Sequence, residues 1–219
     1  MPGALDTIRQ FKTAVVADYD QIRKNRAKYR GERISSLSLP IDVVQKVGLQ
    51  MMTAVRVMQA LERARVPFLP QVVSRAIRHL YGAEIHWRAK IEPGISLVHG
   101  CGLVISHAAT VGTGCILFQN VTLGESVDAE TRQVGSPTLG RDVHVGPGAT
   151  LLGPISVGDR TKIMAGCVLT RSVPPDSLVR PADIVVVPRL PGGGRAPSRD
   201  VDGGERASAD ADQALEAPR

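Results

Sequence analysis

The 219-residue sequence predicts an α+β chain. An N-terminal helical domain spans residues 1–82, a left-handed parallel β-helix of six-residue repeats spans 83–188, and a disordered tail covers 189–219. Three observations predict this order. Aliphatic side chains recur every six positions through the middle of the chain. Apolar residues recur at helical spacing before it. From Pro191 onward large apolar residues almost vanish.

In the helical part, Val43, Val44, Val47, Leu49, Met52, Val55, Val57, Met58 and Leu61 recur at helical spacing. A second amphipathic stretch runs from Gln71 to Tyr81. Pro67 and Pro70 mark its start and Gly82 its stop. Leu5 to Tyr29 is also read as helix, although it is more polar.

The middle segment carries Ile85, Ile91, Leu97 and Leu103 at steps of six. After a step of eight come Val111, Leu117 and Leu123; after a step of sixteen come Leu139, Val145, Leu151, Val157, Ile163 and Leu169. Small or β-branched residues recur four positions later, at Ala89, Cys101, Cys115, Val121, Val143, Ala149, Thr161 and Cys167. Six residues make one flat side and a corner, and three sides make a triangular coil. The aliphatics fill the interior, and coils stack roughly 4.8 Å apart through parallel ladder bonds. About four coils fit on this count. Solenoids of this kind wind left-handed, a departure from the right-handed crossover rule. The register predicts that Cys101, Cys115 and Cys167 are small buried side chains. Neither a CxxC pair nor a zinc spacing occurs, and three cysteines make no even-numbered disulfide framework.

The tail holds Gly192-Gly193-Gly194 and Gly203-Gly204 among Ala, Ser, Asp and Arg. Such a composition cannot offset the entropy of ordering. The formal net charge is +6, concentrated in residues 1–82, where 14 Lys and Arg face 6 Asp and Glu. The basic half lacks the interleaved aromatics that stack on bases, so neither nucleic acid nor membrane is expected as a partner. No apolar run reaches membrane-span length, and the N-terminus has no apolar signal core. A cytoplasmic location is the expectation.

Function on a solenoid lies where the repeat breaks. The breaks are placed around Ser106-His107-Ala108-Ala109 and along the polar excursion Glu125 to Thr138. Among five histidines, His99 stands two residues after interior Leu97 and so projects outward. Glu84 lies 15 residues earlier, about one coil below, where stacking brings a carboxylate toward the His99 ring. Periodicity leaves a plain corner histidine as the other reading of His99. His107 is the second candidate.

The stretch from Glu84-Ile-His-Trp to His99-Gly-Cys-Gly-Leu-Val-Ile105 resembles the active-site coils of serine O-acetyltransferases. Gln119-Asn-Val-Thr-Leu-Gly124, Gly146-Pro-Gly-Ala-Thr-Leu-Leu-Gly153, Lys162-Ile-Met-Ala-Gly166 and Val173-Pro-Pro-Asp176 are similar to later turns of that family. The resemblance covers roughly residues 45–185 and is nearer the branch linked to polysaccharide or secondary-metabolite pathways. It implies acetyl-CoA as co-substrate, no metal, and a homotrimer or dimer of trimers with the donor between adjacent subunits. It implies His99 as general base with Glu84, in place of the family's Asp, as its partner. Gly124, Pro147, Lys162 and Ala165 would lie near the donor; Pro147 replaces an Ala and removes a backbone amide.

Three departures bear on the acceptor. Val98 stands where the family's Asp helps hold the amino group of serine. Gly135-Ser136-Pro137 replaces an Arg-His-Pro that meets the substrate carboxylate. The helical lead-in has no matching Asp. The chain ends Ala217-Pro-Arg219, without the terminal Ile that docks the sulfhydrylase, so that complex is not expected. L-Serine is the leading acceptor. A sugar or other small hydroxyl compound is the alternative, and a non-catalytic trimeric scaffold is the third.

Overall fold

The computed structural model describes residues 3–30, 39–128 and 131–181. The predicted disordered tail lies outside them. Four helices come first: α1 Ala4–Arg30, α2 Leu39–Gln45, α3 Val47–Arg63 and α4 Leu69–Tyr81. Pro70 sits in the first turn of α4, where its missing N–H costs nothing. Gly82 ends α4 at φ 60°, its N–H donating to the Arg78 carbonyl.

The solenoid follows as coils of three short strands. The first coil is β1 Glu84–Ile85, β2 Lys90–Ile91 and β3 Ser96–Leu97. The second is β4 Val104–Ile105, β5 Thr110–Val111 and β6 Ile116–Leu117. The third opens with β7 Thr122–Gly124 and leaves the stack through β8 Ser126–Val127 and β9 Val134–Gly135. It returns at β10 Thr138–Leu139 and β11 His144–Val145. Next come β12 Thr150–Leu152, β13 Ser156–Val157 and β14 Lys162–Ile163, then β15 Val168–Leu169 and β16 Leu178–Val179. Stacking makes three parallel faces, β1-β4-β7-β12-β15, β2-β5-β10-β13 and β3-β6-β11-β14-β16. The winding is left-handed.

The inner column holds the predicted aliphatics. Val111, Leu123, Val145, Leu151 and Ile163 are fully buried. Each such side chain contributes about 1.5–3 kcal/mol on burial. A companion column two residues ahead holds Ala109, Cys115, Val121, Val143, Ala149, Thr161 and Cys167. One core runs through both parts of the chain: Met51, Met52, Val55, Met58 and Ile77 join the solenoid interior. Arg56 and Asp18 pin the two parts together. Both are at most 2% exposed and form a bidentate pair at 2.8 and 2.9 Å. Arg56 also donates to the carbonyls of Ile91 and Glu92, and Asp18 accepts from the N–H groups of Gly94 and Ile95.

The register corrects the position of the first break. Ile85 pairs with Ile105, so Ile105, not Leu103, continues the aliphatic column. Four residues separate β6 from β7, β11 from β12 and β14 from β15, but six separate β3 from β4. The two extra residues therefore lie in the corner that carries His99. Ser106 to Ala109 is an ordinary four-residue corner. Leu103 takes the companion position, and Cys101 is displaced onto the turn, where it is exposed. The expectation that all three cysteines are buried holds for Cys115 and Cys167 only. The excursion, for its part, is a hairpin: β8 and β9 pair antiparallel, Ser126 with Gly135 and Val127 with Val134.

Candidate active site

His99 sits on the enlarged corner after β3, exposed, with φ 60°. Asn120, Asp142, Arg160 and Asp176 adopt the same left-handed conformation at other corners, so the angle belongs to the coil geometry. The corner is closed by the Cys101 N–H on the His99 carbonyl at 2.5 Å and by Gly102 N–H on Gly82 O at 2.9 Å. The helices roof it. A Cβ on Gly48 would run into the Leu97 carbonyl, so α3 starts hard against the end of β3 because that residue is glycine. A cavity of about 460 Å³ opens between α1, the α2–α3 junction and this corner. His99, Ser96, Val98, Phe118, Asn25 and Arg26 are among its lining residues.

The other predicted residues divide between two edges of the solenoid. Pro147 follows β11 and Ala165 follows β14, on the same edge as His99, with Gln119 between. Lys162 is exposed on β14, beside His144 in the ladder. Glycines at φ 69° and 70° follow Pro147 and Ala165, and a Cβ on Gly148 or Gly166 would meet nothing within 4 Å, so this edge is open. Gly124 ends β7 at the far side of the first face, away from that edge. Glu84 lies one coil below the His99 corner, since its N–H donates to Leu103 O at 2.8 Å. Its carboxylate is paired with Arg78 at 3.5 Å, and no hydrogen bond joins it to His99 among the described residues.

A second cluster surrounds His107 on the edge that carries Gly124. The His107 Nδ1 lies 3.3 Å from a Glu125 carboxylate oxygen, and the His86 ring stands edge-on at 5.7 Å. His86 stacks on Trp87 at 3.7 Å and accepts the Arg88 N–H at its Nδ1. Burial, then the neighbouring His107 and Arg88, lowers the His86 pKa. Ser106 Oγ and Ser136 Oγ are 2.7 Å apart, tying the end of the excursion to this corner. On the third face, His144 stacks over Phe118 at 5.2 Å, and burial with Lys162 and Lys28 nearby lowers its pKa. The thiol of buried Cys115 is pushed up to about 12, so it is no nucleophile. Sequence reading missed Asn25 and Arg26, because only the packing of α1 on β3 brings them to His99; it also missed Phe118, which the stacking of β6 on β3 sets beside Val98.

Comparison with known proteins places this geometry in context. Residues 136–171 match the model of the bacterial transferase hexapeptide (six repeats). The chain is 40% identical over 132 residues to a serine acetyltransferase of Synechococcus elongatus, across 60% of this chain and 53% of that protein. It is 36% identical over 130 residues to a serine acetyltransferase of Helicobacter pylori, across 59% of this chain and 75% of the relative. Among solved structures, it is similar to Neisseria gonorrhoeae serine acetyltransferase in complex with serine, at TM-score 0.69 and 25% identity. That match covers 82% of this chain and 70% of that one. It is also similar to isoform 3 of Entamoeba histolytica in complex with cysteine, at TM-score 0.62 and 27% identity, covering 82% and 61%. The chain thus spans about half the length of the Synechococcus relative.

Proposed function

The chain belongs to the serine acetyltransferase family, and on that footing we propose that it transfers the acetyl group of acetyl-CoA to the hydroxyl of L-serine. The observation that carries the reading is the enlarged corner, which puts an exposed imidazole at the mouth of a roofed cavity and on the same edge as Pro147 and Ala165.

In this reading the edge through Pro147 and Ala165, with Lys162 nearby, takes the donor. Its open turns suit a thin, extended ligand, and the Lys162 ammonium suits a phosphate. Acetyl-CoA supplies a thioester carbonyl. Gly124, on the other edge of the first face, would reach the donor from an adjacent subunit. Past Glu84 in the first coil, the outward residues of that face support such an assembly: Val104, Thr122, Thr150 and Val168 form an uncharged run, with Val168 69% exposed. The assembly proposed is a homotrimer.

His99 takes the proton of the serine hydroxyl as the oxygen bonds to the acetyl carbon. The carbon–sulfur bond breaks, and the thiolate leaves and recovers the proton from His99. Glu84, one coil below, is the candidate to steady the imidazolium, which requires its carboxylate to leave Arg78. Buried Cys115 and Cys167 take no part, so no acyl-enzyme forms on them.

The test is CoA release from acetyl-CoA with L-serine and, in parallel, simple sugars, with mass analysis of the product. The reading expects O-acetylserine. Turnover of a sugar in preference to serine contradicts the acceptor. Acetyl-CoA binding without transfer to any hydroxyl contradicts catalysis.

A further inference from the structure

We infer that Asn25 binds the carboxylate of the amino-acid acceptor inside the cavity beside His99, with Arg26 supplying the positive charge. The inference rests on the reading of L-serine as the acceptor.

The first support is an orphaned group. Among the described residues, the buried Asn25 side-chain nitrogen has no hydrogen-bond partner, and Asn25 lines the cavity. A buried donor left unpaired is destabilising, and native interiors rarely leave one without a water or a ligand. An acceptor atom brought in by the substrate removes that cost.

The second support is charge. Arg26 and Lys46 line the cavity, and no carboxylate does among the described residues. Lys46 is held by buried Asp42, so of the described lining residues Arg26 is the cation taken to meet the ligand. Arg26 makes contacts of its own, but a guanidinium carries five donors and can serve more than one partner. A carboxylate would therefore meet a charge-assisted bond from Arg26 and the free donor of Asn25.

The third support is placement. Ile22, Asn25 and Arg26 share one face of α1, three and four residues apart, and that face roofs the His99 corner. With the carboxylate at α1, the far end of a short amino acid points its hydroxyl toward His99. The excursion offers no rival cation at its returning end, where Gly135, Ser136 and Pro137 are uncharged.

The experiment compares L-serine with ethanolamine, which keeps the hydroxyl and the ammonium but lacks the carboxylate. Ethanolamine is followed as a substrate or, if turnover is slow, as a competitive inhibitor. Full-length wild type, Asn25→Asp and Asn25→Ser are assayed, with thermal melts to confirm folding. Asn25→Asp is expected to raise the KM for L-serine about tenfold or more, with kcat within about threefold, while the constant for ethanolamine moves less than about twofold. Asn25→Ser is expected to raise the serine KM by a smaller factor. A serine KM within about twofold of wild type in both variants overturns the inference. So does a parallel rise for both acceptors, which marks a merely structural role. Wild type that releases no CoA with L-serine overturns the acceptor reading itself, and the inference with it. That failure is visible before any variant is compared.

Discussion

His99 and Cys101 occupy the same widened corner, and both are exposed there. The outward direction of His99 was legible because it stands two positions after Leu97, which is buried. The extra residues beside it were not. Leu103 stands six residues after Leu97 and is buried as well, so a count of six ran smoothly through the insertion. Only the pairing of Ile85 with Ile105 shows that the column resumes two residues later. A thiol assay on the native chain is therefore expected to titrate Cys101 alone, and all three cysteines after denaturation. Reaction of Cys115 at the same rate as Cys101 contradicts the register, since burial pushes its thiol to about 12.

His144 provides a second test at this scale. Burial lowers its pKa in the folded chain, so the unfolded chain protonates first as pH falls. The stability tied to the neutral ring is full above the ordinary histidine value of about 6.5 and is lost as pH drops through the lower folded value. His86, also lowered, acts in the same direction. His144→Phe keeps a ring over Phe118 and is expected to flatten the fall in Tm between about pH 7 and about pH 5. A profile unchanged by the substitution contradicts this.

Among elements, the junction of α1 and α3 with the first coil matters most for the site. The helices themselves were readable from apolar spacing, Pro70 and Gly82. Their docking was not, because Asp18 and Arg56 are 38 residues apart and no local pattern marks them as partners. A charged pair at 1% and 2% exposure persists only with its hydrogen bonds satisfied. Asp18→Ala strands the buried guanidinium and frees the N–H groups of Gly94 and Ile95. It is expected to cost about 3–5 kcal/mol in urea unfolding. A loss below about 1 kcal/mol contradicts the pinning role. The excursion was legible as a break, since the step from Leu123 to Leu139 is sixteen residues. Its hairpin was not, because a two-residue pairing of Ser126 and Val127 with Val134 and Gly135 has no distinctive pattern.

At the scale of the molecule, the continuous core explains why helices and solenoid together make the cavity. The helices supply its roof, and the wider corner supplies His99. No helix among the described residues is long and apolar enough to cross a membrane. The uncharged run of the first face leads to an expectation about assembly. Sedimentation of the full chain is expected to give a multiple of three subunits, and Val168→Lys, at the exposed end of that run, is expected to weaken it. Monomers at working concentration contradict the proposed trimer.

The most direct measurement is single-turnover and steady-state CoA release with L-serine by wild type and His99→Asn, with acetyl-CoA binding followed by calorimetry. Serine-dependent release is expected from wild type. The variant is expected to lose about 100-fold or more in kcat while its donor affinity stays within about threefold. An Asn variant that turns over serine as fast as wild type would contradict the assignment of His99 as the general base.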